Sequence, residues 1–358
     1  MNSQTIILSI IVISHNQKNE LKRCVDSVLA QNIPFEYEII LSDDRSDDGT
    51  FELAKEYEIR FPNIIKASQC NSDVCNPANN SQRSGWNRCN GYKLATGKYI
   101  AHVDADDYFR AGSNVYQHQV ELLEQHPECS LCMQNVWIVT EGSDIADGRV
   151  WHTEHLFESG RIITAQEFLI KDYFILNQAF VARRNALIDP VELYGKQYVD
   201  VIITYHHLQF GSVVCLDECD YIYVQHSNAI TSSLTLNDKK VLWGLAFTVY
   251  PALLIPRFAG LYYAGHIQDL LHLVNTARHY LLLSDSTITN LKQYDYAFIY
   301  RVFVQSKVSL MDKVRLQVLL RYLVLLLRTH FLNTFSLKLL HILLVSNKID
   351  KYARFNIH

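Results

Sequence analysis

Residues 98–107 read KYIAHVDADD, a mostly apolar run that ends in a cluster of aspartates. A short apolar run of this kind predicts a buried β-strand, here with acidic side chains at its carboxyl end. The carboxylates of Asp104, Asp106 and Asp107 repel one another, and a bound Mg²⁺ or Mn²⁺ ion would relieve this repulsion because both cations prefer oxygen ligands. The alternative is a solvated loop whose aspartates cap the following helix.

Strand and helix patterns alternate along the residues that precede this segment. The strand patterns cover residues 6–14, 37–41, 64–67 and 98–103, and helix patterns separate them. Such alternation predicts right-handed βαβ crossovers and a doubly wound, mostly parallel sheet of the α/β class. Because ligands of these sheets bind beyond the carboxyl ends of the strands, we expect three polar clusters to converge there. The clusters are His15 with Asn16, Asp43 with Asp44, and Asp104 with Asp106 and Asp107.

The residues after the first predicted strand exclude two common nucleotide sites. They read SHNQKN (residues 14–19) instead of the GxGxxG of a dinucleotide site, and no GxxxxGK[ST] phosphate loop occurs in the chain. A nucleotide would then be held by carboxylates and a metal rather than by a glycine-rich loop. Asp44, at the end of the second predicted strand, is placed to accept a hydrogen bond from a base or a ribose hydroxyl.

The N-terminus and the cysteines indicate a cytoplasmic setting. The segment MNSQTIILSIIVISHNQ lacks the basic start of a secretory signal, and its apolar run is accounted for as the first strand. Eight cysteines in a chain of 358 residues without a signal predict reduced thiols rather than a disulfide framework. Cys129 and Cys132 have CxxC spacing, but strand residues three apart point to opposite faces, so we expect no zinc site there.

The last third of the chain differs from the rest in pattern and in charge. Strand signals stop near residue 235, which predicts an α/β domain over residues 1–235 and a helical region over residues 236–358. From residue 301 onward there are ten Lys or Arg and two Asp or Glu, against 23 and 35 in the first 300 residues. Basic residues interrupt the apolar runs, which disfavours a membrane-spanning helix. Two interpretations remain: helices that lie on an anionic membrane surface, or a subdomain that packs on itself or on a second copy of the chain.

Five segments together resemble the family-2 glycosyltransferases. They are SIIVISHNQ (residues 9–17), CVDSVLAQ (24–31), YEIILSDDRSDDGT (37–50), NRCNGYKLATGKYIAHVDADDYF (87–109) and YVQHSNAITSS (223–233). Their order and spacing match the family over about residues 6–233. The resemblance implies the GT-A fold, and an enzyme that transfers a sugar from a nucleotide donor with inversion at the anomeric carbon.

The resemblance also implies roles in donor binding for individual residues. Asp44 matches the family aspartate that contacts the uracil, with Asp43 beside it, and His15 lies where an aromatic residue often packs against the base. Arg88 matches the basic residue that approaches the diphosphate. Asp104 is the first member of the DxD pair, and we expect it to take part in binding the nucleotide sugar.

The remaining implied roles concern the metal and the catalytic base. Asp106, the second member of the DxD pair, is the expected Mg²⁺ or Mn²⁺ ligand, and His226 matches a histidine that in some members meets the metal or the diphosphate. Asp200 matches the acidic residue that serves as the base. His206 and His207 follow it in a predicted helix, and we expect them to be exposed rather than to tune the base or bind the acceptor.

These inferences combine into one predicted function. We expect a metal-dependent, inverting glycosyltransferase of the hexosyl or N-acetylhexosaminyl type, which moves a sugar from a nucleoside-diphosphate donor, UDP-linked, to a hydroxyl of a glycan or lipid-linked acceptor. It would act in surface polysaccharide synthesis for the cell envelope, at the inner face of the cell membrane. Its helical region would contact the membrane peripherally or form a homo-oligomer, and no nucleic-acid partner is expected. The alternatives are a nucleotidyltransferase, or a non-catalytic nucleotide-sugar-binding protein, on the same fold.

Overall fold

The computed structural model describes residues 5–71, 80–151, 157–171, 173, 176–184 and 199–226. All of these residues belong to one compact unit. The helical region predicted over residues 236–358 lies outside the described residues, so its boundary and its membrane or oligomer contacts stay predictions. None of the described helices is both long enough and apolar enough to cross a membrane.

Strands and helices alternate through the first half of the described chain, as the apolar periodicity predicts. The strands are β1 (Leu8–Ser14), β2 (Tyr37–Asp43), β3 (Ile65–Gln69), β4 (Tyr99–Asp104), β5 (Tyr108–Phe109), β6 (Cys129–Thr140), β7 (Arg149–Val150), β8 (Ile162–Ile163), β9 (Phe180–Arg183) and β10 (Ser212–Gln225). The helices are α1 (Lys18–Leu29), α2 (Thr50–Arg60), α3 (Asn80–Leu94), α4 (Val115–Gln125), α5 (Ala165–Ile170) and α6 (Val199–Leu208). Short 3₁₀ turns cover Ile145–Asp147 and Asn177–Ala179.

The strands form one mixed sheet in the order β3-β2-β1-β4-β9-β6-β10-β5, with β7 beside β6 and β8 beside β10. β1 pairs in parallel with β2 and β4, β2 pairs in parallel with β3, and β6 pairs in parallel with β10. β9 runs antiparallel to both of its neighbours, β4 and β6, and so joins the two parallel groups. The predicted α/β class with a doubly wound, mostly parallel sheet is therefore confirmed.

The last described strand differs from the expectation drawn from the sequence. The sequence pattern of residues 212–225 predicts two strands, at 212–216 and 221–225, whereas the structure has the single strand β10. Its pairing with β6 shifts register between Leu216 and Tyr221. The polar residues between these two positions imitate a turn in the sequence, but they form an irregularity inside one strand.

Packing of helices on the sheet explains the apolar patterns. β1 is buried along its whole length, which accounts for its continuous apolar run. Helical spacing places Leu21, Cys24, Val25, Val28 and Leu29 on one face of α1. The structure buries the first four and leaves Leu29 half-buried. α3 lies so close to β1 that a Cβ on Gly91 would come within 2.3 Å of Cγ2 of Ile11. This close approach brings the polar residues of α3 against the strand ends.

Candidate active site

The carboxyl ends of the three central parallel strands bring the predicted polar clusters together. Ser14, the last residue of β1, pairs with Asp43 on β2. Ile13, one residue earlier, pairs with Asp104 on β4. Asp43 and Asp104 therefore stand on the two sides of the end of β1, and the residues that follow each strand leave from the same edge. The predicted convergence of these clusters is confirmed.

Asp43 forms part of the wall of this edge. It is fully buried, and its Oδ2 accepts a hydrogen bond from the backbone N–H of Ser46 at 2.9 Å. Its Oδ1 accepts from the hydroxyl of Ser14 at 3.3 Å and from the hydroxyl of Ser46. The carboxylate therefore fixes the turn that presents the next residue, Asp44. A direct contact of Asp43 with a nucleotide stays a prediction.

Asp44 and His15, the two residues predicted to meet the base, are neighbours. The Asp44 side chain is nearly buried, and its Oδ2 lies 3.0 Å from Nη2 of Arg83. Nδ1 of His15 donates a hydrogen bond to the backbone carbonyl of Asp44 at 2.7 Å. Because a carbonyl oxygen can only accept, Nδ1 carries the hydrogen of a neutral His15 ring. This contact holds the exposed imidazole at the mouth of the site.

Arg88 and Asp104 form a partly buried ion pair at the end of β4. Nη2 of Arg88 lies 2.6 Å from Oδ1 of Asp104, and the arginine is only 3% exposed. Gln178, in the 3₁₀ turn before β9, donates a hydrogen bond to the other oxygen of Asp104. The first aspartate of the DxD pair is thus held by protein donors on both oxygens, next to a buried guanidinium.

Asp107 anchors the acidic turn to the sheet. It is 1% exposed, and its carboxylate accepts hydrogen bonds from the backbone N–H of Val224 at 2.8 Å and from the hydroxyl of Tyr221. Both donors belong to β10. Burial raises the pKa of Asp107 well above its usual range, and the other two aspartates add to this effect. Its contacts indicate a structural role in holding the turn against β10.

Asp106 and His226 lie together, as the predicted metal site requires. Nε2 of His226 is 3.5 Å from Oδ2 of Asp106. Burial and the neighbouring Asp104 carboxylate raise the pKa of Asp106 to about 6, while His226 opposes this effect. The loss of favourable solvation and the repulsion between carboxylates both make this position attractive to a cation.

The donor atoms gathered here fit a divalent cation. Carboxylate oxygens of Asp104, Asp106 and Asp107 all lie within 4.8 Å of one another. Since Asp104 and Asp107 are bound by protein donors, Asp106 and His226 are the residues best placed to hold the ion. A carboxylate oxygen with an imidazole nitrogen suits Mn²⁺ better than Mg²⁺, which prefers oxygen ligands alone.

Helix α6 contains Asp200 and also two histidines, His206 and His207, whose predicted exposure is corrected by the structure. Asp200 lies in the first turn of α6, and its role as the base stays a prediction. His206 and His207 were expected to be exposed, and this expectation is wrong because they are 4% and 0% exposed. α6 contacts both α3 and β6, which covers adjacent residues of the helix. Burial lowers the pKa of His206 to about 4 and that of His207 well below its usual value.

Three residues of the site were missed in the sequence. Asn87 is buried and donates hydrogen bonds to the backbone carbonyls of Ser14 at 3.1 Å and Ser42 at 3.0 Å. It therefore ties the ends of β1 and β2 to α3. Arg83 and Gln178, which contact the carboxylates described above, have no local motif. The only available signal was the place of Asn87 next to Arg88 in a polar helix.

A comparison with protein families now bears on this arrangement. A family model described as Glycosyl transferase family 2 matches residues 9–189. The chain belongs to this family. The matched segment runs from β1 past β9, so it includes the Asp44 loop, Arg88 and the DxD turn. The family predicted from the sequence motifs is therefore confirmed.

Two relatives are similar to parts of this chain. An uncharacterized protein of Mycobacterium tuberculosis is 26% identical over 236 residues, which is 66% of this chain and 63% of that protein. The chain thus spans about 63% of the length of this relative. The poly(ribitol-phosphate) beta-glucosyltransferase of Bacillus spizizenii is 33% identical over 102 residues, covering 28% of this chain and 15% of that enzyme.

A solved structure extends the likeness in fold. TarS 1-349 of S. aureus, in complex with UDP-GlcNAc, superimposes with a TM-score of 0.54 at 18% identity, covering 91% of this chain and 92% of that chain. At this level of identity the likeness shows the fold alone. The fold of the described residues is of the GT-A type, as predicted.

Proposed function

We propose that this protein is a metal-dependent, inverting glycosyltransferase that uses a nucleoside-diphosphate sugar. One observation gives the main support: Asp44 follows β2, Arg88 of α3 pairs with Asp104 at the end of β4, and Asp106 in the next turn lies beside His226 after β10. In such a donor, Asp44 would meet the base, and Arg88 together with a cation at Asp106 and His226 would meet the diphosphate. Membership of glycosyl transferase family 2 supports the same reaction.

The mechanism follows from the charges at this edge. The Asp44 carboxylate would accept a hydrogen bond from the base, and the His15 ring would lie against it. The Arg88 guanidinium would stabilise negative charge that develops on the leaving diphosphate. A divalent cation bound at Asp106 and His226 would supply further stabilisation of that leaving group.

The proposed base completes the reaction. Asp200 would remove the proton from the acceptor hydroxyl as its oxygen attacks the anomeric carbon, and the bond from that carbon to the diphosphate oxygen would break. The attack comes from the face opposite the leaving group, so the configuration inverts and no covalent intermediate with the enzyme forms. The proton ends on Asp200, and a nucleoside diphosphate leaves.

The finer identity of the substrates rests on the similar proteins. TarS 1-349 was solved with UDP-GlcNAc, and one relative is named as a poly(ribitol-phosphate) glucosyltransferase. We propose a UDP-linked hexose or N-acetylhexosamine as donor, and a hydroxyl of a glycan or lipid-linked acceptor in surface polysaccharide synthesis. The basic segment from residue 301 onward supports a location at the inner face of the cell membrane, through peripheral contact.

A donor assay tests the function. Purified protein is incubated with UDP-sugars and Mn²⁺, and release of UDP is measured together with donor binding. Asp106→Asn should lose metal-dependent donor binding and turnover, whereas the exposed control Asp147→Asn should keep both. Unchanged affinity and turnover in Asp106→Asn would refute the site. Binding without turnover would favour the non-catalytic alternative. Release of pyrophosphate in a separate incubation with a nucleoside triphosphate and a sugar 1-phosphate would favour a nucleotidyltransferase.

Membrane contact has a separate test. The full chain should float with vesicles that contain anionic lipid, and the bound fraction should fall as salt rises, because exposed charges are screened. Equal binding to neutral vesicles, or a bound fraction that salt does not change, would contradict this proposal and favour a subdomain that packs on protein.

A further inference from the structure

Glu141 and His226 occupy equivalent places at the ends of two neighbouring parallel strands. Thr140 of β6 pairs with Gln225 of β10, and these are the last residues of their strands. The backbone N–H of Glu141 donates a hydrogen bond to the carbonyl of Gln225 at 3.0 Å. The sheet register itself therefore places the Glu141 side chain next to His226, without help from a local motif.

The imidazole of His226 bridges two carboxylates. Nδ1 lies 3.1 Å from Oε1 of Glu141, and Nε2 lies 3.5 Å from Oδ2 of Asp106. An ionised carboxylate only accepts hydrogen bonds, so the contact with Glu141 requires the hydrogen to be on Nδ1. A neutral ring with its hydrogen on Nδ1 has its lone pair on Nε2, the nitrogen that faces Asp106.

The surroundings of Glu141 and His226 indicate that Glu141 orients the His226 ring as well as adding charge. Glu141 and His226 line a cleft of about 90 Å³ together with Glu20 and Arg23. The side chains of His226, Asp106 and Glu141 are 19%, 29% and 55% exposed, so the ring lies between a partly buried carboxylate and one near solvent. Histidines that bind metals commonly donate their second ring N–H to a carboxylate, which fixes the tautomer and the ring orientation.

We propose that Glu141 is a positioning residue that holds His226 in the Nδ1–H tautomer and directs Nε2 toward the cation position beside Asp106. This inference rests on the metal dependence proposed above. Without Glu141 the ring can rotate, or take the other tautomer, which places a hydrogen on the nitrogen needed for the cation. Removal of such a second carboxylate typically weakens metal affinity 10- to 100-fold.

Mn²⁺ binding to the full chain is the first test, measured by electron paramagnetic resonance of free Mn²⁺, with and without UDP. Glu141→Ala should weaken Mn²⁺ binding by about 10- to 100-fold. Glu20→Ala removes a like charge from the same cleft and should have a much smaller effect. In the double variant with His226→Ala, loss of Glu141 should add little, because its effect passes through His226.

A second readout needs neither metal nor activity. Nitrogen-15 spectra are recorded on histidine-labelled, metal-free protein. The His226 signals are identified because they are missing in His226→Ala, and they should show the hydrogen on Nδ1 of His226. In Glu141→Ala the His226 signals should change to a mixture of tautomers, while the other histidines stay as they were.

The outcomes separate this inference from the proposed function. If the wild-type protein binds Mn²⁺ and Glu141→Ala binds it equally well, the inference is wrong and the metal dependence stands. If the effects of Glu141→Ala and His226→Ala add fully, Glu141 acts independently of His226, which also overturns the inference. If the wild-type protein binds no Mn²⁺ with or without UDP, the proposed metal dependence fails, and the inference fails with it.

Discussion

Glu38 offers a quantitative test of how the sheet is held together beneath the site. Its buried carboxylate on β2 accepts hydrogen bonds through Oε1 from the hydroxyl of Ser9 and from both the backbone N–H and the hydroxyl of Thr96, each at 2.7 Å. These contacts tie β1 and β2 to the turn between α3 and β4. In Glu38→Gln the acceptor oxygen remains, but the charge is lost.

The expected loss follows from the strength of these bonds. Hydrogen bonds to charged groups contribute roughly 1.5–3 kcal/mol each, against roughly 0.5–1.5 kcal/mol for neutral pairs. Three bonds that each weaken by about 1 kcal/mol, allowing for non-additivity within one network, give a loss of about 2–3 kcal/mol in the free energy of unfolding.

The stabilisation that the Glu38 carboxylate provides should decrease as the pH falls. Burial alone would raise the pKa of Glu38, but the hydrogen bonds from Ser9 and Thr96 outweigh it and hold the pKa below the usual value of 4.5. The unfolded chain then takes up a proton at a higher pH than the folded chain. The stabilisation is fully present above about pH 4.5 and is lost as the pH falls through the lower, folded pKa.

Urea unfolding of wild-type protein and of Glu38→Gln, followed by tryptophan fluorescence at pH 7 and near pH 4, provides the measurement. The difference in unfolding free energy between the wild-type protein and Glu38→Gln should be larger at pH 7 than near pH 4. Glu36→Gln changes an exposed carboxylate two residues away and serves as the control. A Glu38→Gln protein as stable as the wild type at pH 7, or a gap that widens on acidification, would refute the reasoning.

Three further predictions concern the candidate site. Asp44→Ala should weaken binding of free UDP as much as binding of the UDP-sugar, measured by calorimetry, because the proposed contact is to the nucleoside; an effect on the sugar nucleotide alone would contradict this. Asp200→Asn should keep donor affinity and lose turnover, so steady-state kinetics near wild type would point to another base. Arg23 donates a hydrogen bond to the backbone carbonyl of Asp106 at 2.6 Å. Arg23→Gln should therefore weaken Mn²⁺-dependent donor binding by roughly tenfold, the equivalent of one charged hydrogen bond. Equal donor affinity in the variant would show that the turn keeps its shape without this contact.

Periodicity and strand ends allowed much of this protein to be predicted from its sequence. The face of α1 and the buried run of β1 are visible because apolar spacing within an element is a local property. The meeting of Asp43 and Asp104 around β1 was also predictable, since parallel neighbouring strands align their carboxyl ends at one edge.

What the sequence alone did not determine depends on contacts between distant residues. Arg83 reaches Asp44, Gln178 reaches Asp104 and Glu141 reaches His226 only because the sheet register and the packing of α3 bring them there. His206 and His207 look like ordinary polar residues of a helix in the sequence. Their burial follows from the packing of α6 against α3 and β6. Spacing along the chain reveals which face of an element is apolar, but the identity of its neighbours is fixed only when the whole core packs.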